Sequence, residues 1–159
     1  MLEELKVHYA NRLHIFVYDT KTLNIAEGAL AYEAKVLIEQ GESFENVAKK
    51  LDDLRRRSEF LFTLSDLDYI IRNKKLSAPA AFVANLFDIK PIMQINQIGE
   101  IIAVEKVRKL EKTLTTMGKT VEKLAANQPA FIYLTDPGHH DSTEYFKKIL
   151  APHFAFWLA

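Results

Sequence analysis

Short apolar runs separated by longer stretches of helical periodicity constrain this chain most, because that alternation selects an α/β architecture. The first run, Leu13-His14-Ile15-Phe16-Val17-Tyr18, ends at Asp19-Thr20 and reads as a strand buried on both faces, as in a parallel sheet. A helix is expected from about Glu27 to Gln40, with Gly41 just past its C-cap. Ser43 offers the N-cap of a second helix to about Arg57, with Phe44, Val47, Leu51 and Leu54 on one face.

Glu59 to Leu64 reads as the next strand, and Ser65-Asp66-Leu67-Asp68 starts a short helix with capping-box-like spacing. Ser77 repeats that signal for a helix running to about Phe87, with Pro79 tolerated in its first turn. Lys90 to Asn96 and Glu100 to Lys106 flank Gln97-Ile98-Gly99, which predicts a β-hairpin. The long helix that follows spaces Val107, Leu110, Leu114, Met117, Val121 and Leu124 alternately by three and four. The stripe covers only about two and a half heptads, so packing on a sheet is a simpler account than a coiled coil. Ala130 to Thr135 reads as another buried strand and Asp136-Pro137-Gly138 as a turn. Asp141-Ser142-Thr143-Glu144 caps a last helix to about Leu150, ahead of Pro152 and an aromatic tail of Phe154, Phe156 and Trp157. The expected fold class is therefore α/β: strands alternating with helices, plus an antiparallel hairpin insertion.

Composition narrows the function. The 159 residues fit one domain or one and a half small ones, and a 48% hydrophobic fraction suffices for a real core. Twenty-one basic against 21 acidic residues leave no whole-chain footprint for nucleic acid or anionic membrane. Without cysteine there is no disulfide, thiolate nucleophile or Cys-ligated metal. The Met1-Leu2-Glu3-Glu4-Leu5 start is not a signal peptide and no stretch is long enough to insert in a bilayer, so a cytoplasmic location is expected.

Few residues suggest chemistry. His139-His140-Asp141 follows a Pro-Gly turn and has no second ligand at helical spacing, so it reads as a solvated turn rather than a metal site. His8, His14 and His153 are isolated. Arg55-Arg56-Arg57 follows Asp52-Asp53 at a helix C-terminus, where cations complement the dipole without any nucleic acid. Asp19 stands where an α/β protein places an active-site acid, but a lone Asp there also serves as a cap. Phosphate-binding glycine loops and a G-x-S-x-G elbow are missing. In the helix from Ala78 to Phe87, small Ala80 and Ala84 lie beside bulky Phe82, Val83, Leu86 and Phe87. That mixture suits close helix packing or the wall of an apolar pocket. A binding protein without catalytic machinery or cofactor is the reading these residues support.

The order of motifs resembles the DegV family of lipid-binding proteins, which includes the fatty-acid-binding subunit of bacterial fatty acid kinase. Four stretches carry the resemblance: Ile15-Phe16-Val17-Tyr18-Asp19-Thr20 with Gly28 and Gly41-Glu42-Ser43; Phe60 to Ile70; Arg72-Asn73-Lys74-Lys75-Leu76-Ser77; and Ile89-Lys90-Pro91-Ile92 followed by Gly99-Glu100-Ile101 and Lys106-Val107-Arg108. The resemblance implies a two-domain fold that buries an acyl chain in an apolar tunnel and presents its carboxylate to a separate kinase catalytic subunit. By that analogy Phe82, Leu86, Phe87, Ile92 and Ile102 are candidates for the tunnel or the core. Lys75 and Arg108 fall at the family's two basic positions, near the carboxylate mouth or the kinase-docking face, where a cation stabilises the anion.

Departures from the family pattern shape further expectations. Lys74-Lys75 stands where the family usually reads Gly-Arg, which keeps a charge but loses the planar fork. The family's Asp-Ser-Ser/Thr and Ser-x-x-Ser/Thr elements have no counterpart before Met1, and its closing His-x-Gly-Pro-Gly is missing. The resemblance thus implies a partial DegV-like fold truncated at both ends. Residues 1–58 would be a remnant of the first domain and 59–159 an incomplete second one. Strands stripped of their neighbours expose backbone and apolar surface, so a homo-oligomer with impaired fatty-acid binding is expected; a structural remnant without ligand is the alternative.

Overall fold

The computed structural model describes residues 2–77, 89–126, 129–135, 138 and 140–150, and divides the chain into two compact units, Met1–Glu59 and Phe60–Ala159. In the first unit, α1 (Leu2–His8), α2 (Asn24–Glu39) and α3 (Phe44–Arg57) are the regular elements. Ser43 caps α3 as expected, its Oγ accepting from the Asn46 N–H at 3.3 Å. Gly41 ends α2 with φ +83°: its N–H donates to Ile38 O (2.9 Å), and that of Glu42 donates to Leu37 O (3.1 Å). These paired bonds form a Schellman cap, whose left-handed residue favours glycine. Across the turn, Leu30 and Leu37 pack on Val47 and Leu51, with Tyr18, Ala34 and Leu54 at the margin. Phe44, expected on that buried face, is 40% exposed and instead meets the rings of His14 and Phe16.

Leu13 to Tyr18 is not a strand. A ladder needs a second strand, and the described residues of this unit supply none. The period-two pattern is nevertheless visible, with Ile15 and Val17 half-buried between exposed His14 and Phe16.

In the second unit, β1 (Leu61–Phe62), α4 (Asp68–Arg72), β2 (Leu76–Ser77), β3 (Ile92–Ile95), β4 (Ile101–Glu105), α5 (Leu110–Ala125) and α6 (His140–Leu150) surround one sheet of order β1-β3-β4-β2. β3 is antiparallel to both β1 and β4, while β2 runs parallel to β4. The expected hairpin forms the two middle strands. Its turn is tied by Asn96, whose Oδ1 accepts from the N–H groups of Ile98 (3.1 Å) and Glu100 (2.9 Å). Strand alternation sends neighbours to opposite faces. Ile92 joins Val107, Leu114, Met117, Phe146 and Leu150 on one side, whereas Met93 joins Leu67 and Ile70 on the other. The mixed α/β class holds.

Several boundaries differ from expectation. The strand at Glu59 to Leu64 shortens to Leu61–Phe62. Asp66, not Ser65, supports the start of α4, its Oδ1 accepting from the Asp68 N–H at 2.7 Å. Ser77 closes β2, and the helix expected beyond it lies outside the described residues, as do the 136–137 part of the turn and the tail beyond 150. Val107 precedes α5 rather than riding on it, and Leu110 and Leu124 face solvent. Thr113 and Gly118 are buried with Leu114 and Met117 instead. At Gly118 an added Cβ would stand 2.5 Å from Ile149 Cγ2, so any other side chain there would force α5 and α6 to shift. Ala130 to Thr135 has no ladder either; Ile132 and Leu134 pack inward while Phe131 is 92% exposed.

Candidate ligand-binding site

The end of the sheet beside α5 is held by unusually dense bonding around Lys90. Its N–H donates to Val107 O (2.8 Å), its Nζ donates to Ser65 O (2.6 Å), and its C=O accepts from Thr113 Oγ1 (2.9 Å). Thr113 is fully buried, and its hydroxyl also reaches Lys109 O at 3.1 Å. An antiparallel bridge pairs Ile89 with Arg108. Pro91 has no N–H to donate and fits between that bridge and the Ile92–Glu105 pair, fully buried. Lys109 takes φ +68° as the chain turns into α5.

The sequence candidates fall at two ends of β4. Ile92 is buried at the end beside Arg108, whose side chain is exposed. Ile102 is half-buried, opposite Gln94 on β3 and Ser77 on β2. Lys75 is exposed and immediately precedes the Leu76–Ile101 pair, so it stands at the start of β4. Arg108 is seven residues beyond Ile101, about 20 Å away along strand-like backbone. Lys75 and Arg108 thus stand toward opposite ends of β4. Phe82, Leu86 and Phe87 lie outside the described residues. Sequence reasoning missed Thr113; its signal was a hydroxyl one residue before the apolar stripe at Leu114.

Lys74 has φ +51°, and the N–H groups of Lys74 and Lys75 donate to Ile71 O (3.0 Å) and Ile70 O (2.9 Å). This is the Gly41 cap repeated with lysine in the left-handed position, which gives a physical reason for glycine in the resembling motif.

The other candidates are engaged locally. Lys21 Nζ lies 2.5 Å from Asp19 Oδ2 and its N–H donates to Oδ1, which holds this exposed carboxyl below the usual range. Tyr18 Oη donates to Asp52 Oδ1 at 2.9 Å; burial foremost, then that bond, pushes the phenol up. Arg55 and Arg56 pair with Asp52 and Asp53 along α3. Position 139 lies outside the described residues. Among the described residues no three His, Cys, Asp or Glu side chains gather as metal ligands, and no helix is long and apolar enough to cross a membrane.

A family model described as an uncharacterised protein of the DegV family matches residues 3–155. A DegV domain-containing protein of Clostridium acetobutylicum is 26% identical over 140 residues, covering 87% of this chain and 50% of that protein. A fatty acid-binding protein of Thermotoga maritima is 32% identical over 140 residues, covering 85% and 47%. Among solved structures, a fatty acid binding DegV family protein from Streptococcus agalactiae matches with a TM-score of 0.84 at 27% identity, covering 94% of this chain and 53% of that one. The chain therefore spans about half the length of the curated relatives it matches.

Proposed function

The chain belongs to the DegV family, and we propose that it binds a long-chain fatty acid and catalyses no reaction of its own. The family match over residues 3–155 carries this reading, and the fatty acid-binding relative at 32% identity supports it. The acyl chain lies along the sheet face of Ile92 and Ile102, and Phe82, Leu86 and Phe87, outside the described residues, are further candidates for contact with it. Arg108, exposed at the buried Ile92 end, and Lys75, about 20 Å away by strand geometry, are left for docking the separate kinase subunit that receives the carboxylate.

On the same reading, residues 1–58 correspond to the end of the family's first domain and 59–159 to part of its second, in a cytoplasmic protein. Leu13 to Tyr18, mostly apolar and without a ladder partner among the described residues, favours self-association by strand pairing. Native mass spectrometry of the purified chain, with and without added palmitate, tests the binding. A one-to-one complex that survives desalting is the expected result. A chain that stays bare at saturating palmitate overturns it.

A further inference from the structure

We infer that Leu13–Tyr18 pairs antiparallel with the same segment of a second copy of this chain, about a two-fold axis at Phe16. This rests on the self-association proposed above and adds its direction and register. The stretch open to pairing has two marked ends. Before it, the Leu13 N–H donates back to Tyr9 O (2.9 Å). After it, Asp19 Oδ1 accepts from the Lys21 N–H (3.1 Å), and Lys21 turns the chain at φ +53°. Between those turns the backbone N–H and C=O groups of residues 14–18 make no hydrogen bond within the described residues. Consecutive unpaired peptide groups of this kind are a template for another strand.

The segment is also held extended in advance. The His14 ring stands perpendicular to that of Phe44 with centroids 5.2 Å apart, and Phe16 stacks on the same ring at 6.5 Å. Tyr18 Oη donates to Asp52 Oδ1 (2.9 Å), so three alternate side chains fasten the segment along α3. A strand already fixed by its side chains loses little further entropy on pairing.

Its own sequence fits a second copy. Antiparallel pairing about Phe16, the middle of the open stretch, sets Phe16 on Phe16, His14 on Tyr18 and Ile15 on Val17. Aromatic then meets aromatic on one face and β-branched meets β-branched on the other. Parallel pairing in register would instead set Asp19 on Asp19, two opposed carboxylates. Moving the axis to Ile15 or Val17 would draw in Leu13, whose N–H is taken, or Asp19, which closes a turn. A two-fold contact presents the same surface from both copies and closes as a dimer.

Because the chain contains no cysteine, single introduced cysteines report which residues meet. Sedimentation velocity first measures association of the unmodified chain. Amide exchange at residues 14–18 should slow at least about fivefold as concentration rises through that range, with β3 and β4 unchanged. Under oxidised glutathione, Phe16→Cys should cross-link to itself, since opposed residues have Cα atoms about 5 Å apart. Leu13→Cys and Asp19→Cys should each fail to cross-link alone, like residues standing about 20 Å apart, and should cross-link when mixed. Phe16→Asp, which opposes two carboxylates, should weaken association roughly tenfold. Self-linking of Leu13→Cys, no linking of Phe16→Cys, or association without slower exchange at residues 14–18 overturns this pairing and leaves self-association intact. A chain that stays monomeric at the highest concentration overturns both.

Discussion

The two units bury their cores by different routes. In the first, four buried side chains come from α2 and α3, consecutive helices joined by the Gly41 turn, and α1 buries nothing. In the second, a central hairpin has apolar clusters on both faces, and the larger one unites Ile92, Leu114 and Leu150 from well-separated parts of the chain. A core drawn from neighbours in sequence is quick to form but has little to hold it once one helix loosens. A core that ties distant segments opens as a whole. The first unit is accordingly expected to exchange its amides at lower opening free energy than the second.

Truncating matched core side chains gives the largest expected effect and the sharpest break of this comparison. Met93→Ala and Leu150→Ala should each cost about 2–5 kcal/mol, read by urea unfolding, and should loosen amides on several elements of the second unit. Leu51→Ala should loosen α2 and α3 alone. If it also speeds exchange in β3 and β4, the units are not separate in stability. Next is Gly118→Ala, which forces α5 and α6 apart at Ile149 and should cost about 1–3 kcal/mol.

The repeated helix cap sharpens the comparison further. Gly41→Ala should cost about 1 kcal/mol, whereas Lys74→Gly, in the same cap of the second unit, should stabilise by about 0.5 kcal/mol. Equal signs at both positions would mean that the left-handed conformation is not what governs these residues. The smallest effect concerns Tyr18. Its phenol pKa is raised in the folded unit, so its contribution is present below pH about 10 and lost as pH rises through the folded value. Tyr18→Phe should cost under about 1 kcal/mol at neutral pH and flatten the alkaline fall of the first unit's stability.

Much of the fold was legible wherever one residue type performs a local task. Ser43 and Gly41 mark real helix ends, and Gln97-Ile98-Gly99 marks the hairpin, because caps and turns depend on a few adjacent residues. Leu13 to Tyr18 and Ala130 to Thr135 differ from expectation for the opposite reason. Their side chains alternate as a strand's do, yet a strand is defined by hydrogen bonds to another segment that local pattern does not reveal. Apolar spacing along α5 locates buried Leu114 and Met117, but it also favours Leu110 and Leu124, which face solvent, and gives no sign of the buried Thr113 and Gly118 beside them. Of the candidate residues, the sequence indicates that Ile92 is buried and Arg108 exposed, as the structure has them. It could not reveal that Lys75 and Arg108 stand at opposite ends of β4, which only strand register establishes.

The central proposal is that this DegV-family chain holds an acyl chain. A crystal structure grown with palmitate tests it most directly. Continuous density for the alkyl chain beside Ile92 and Ile102 is the predicted result. A second unit whose interior is filled by its own side chains, Phe82, Leu86 and Phe87 included, with palmitate nowhere bound, would contradict it.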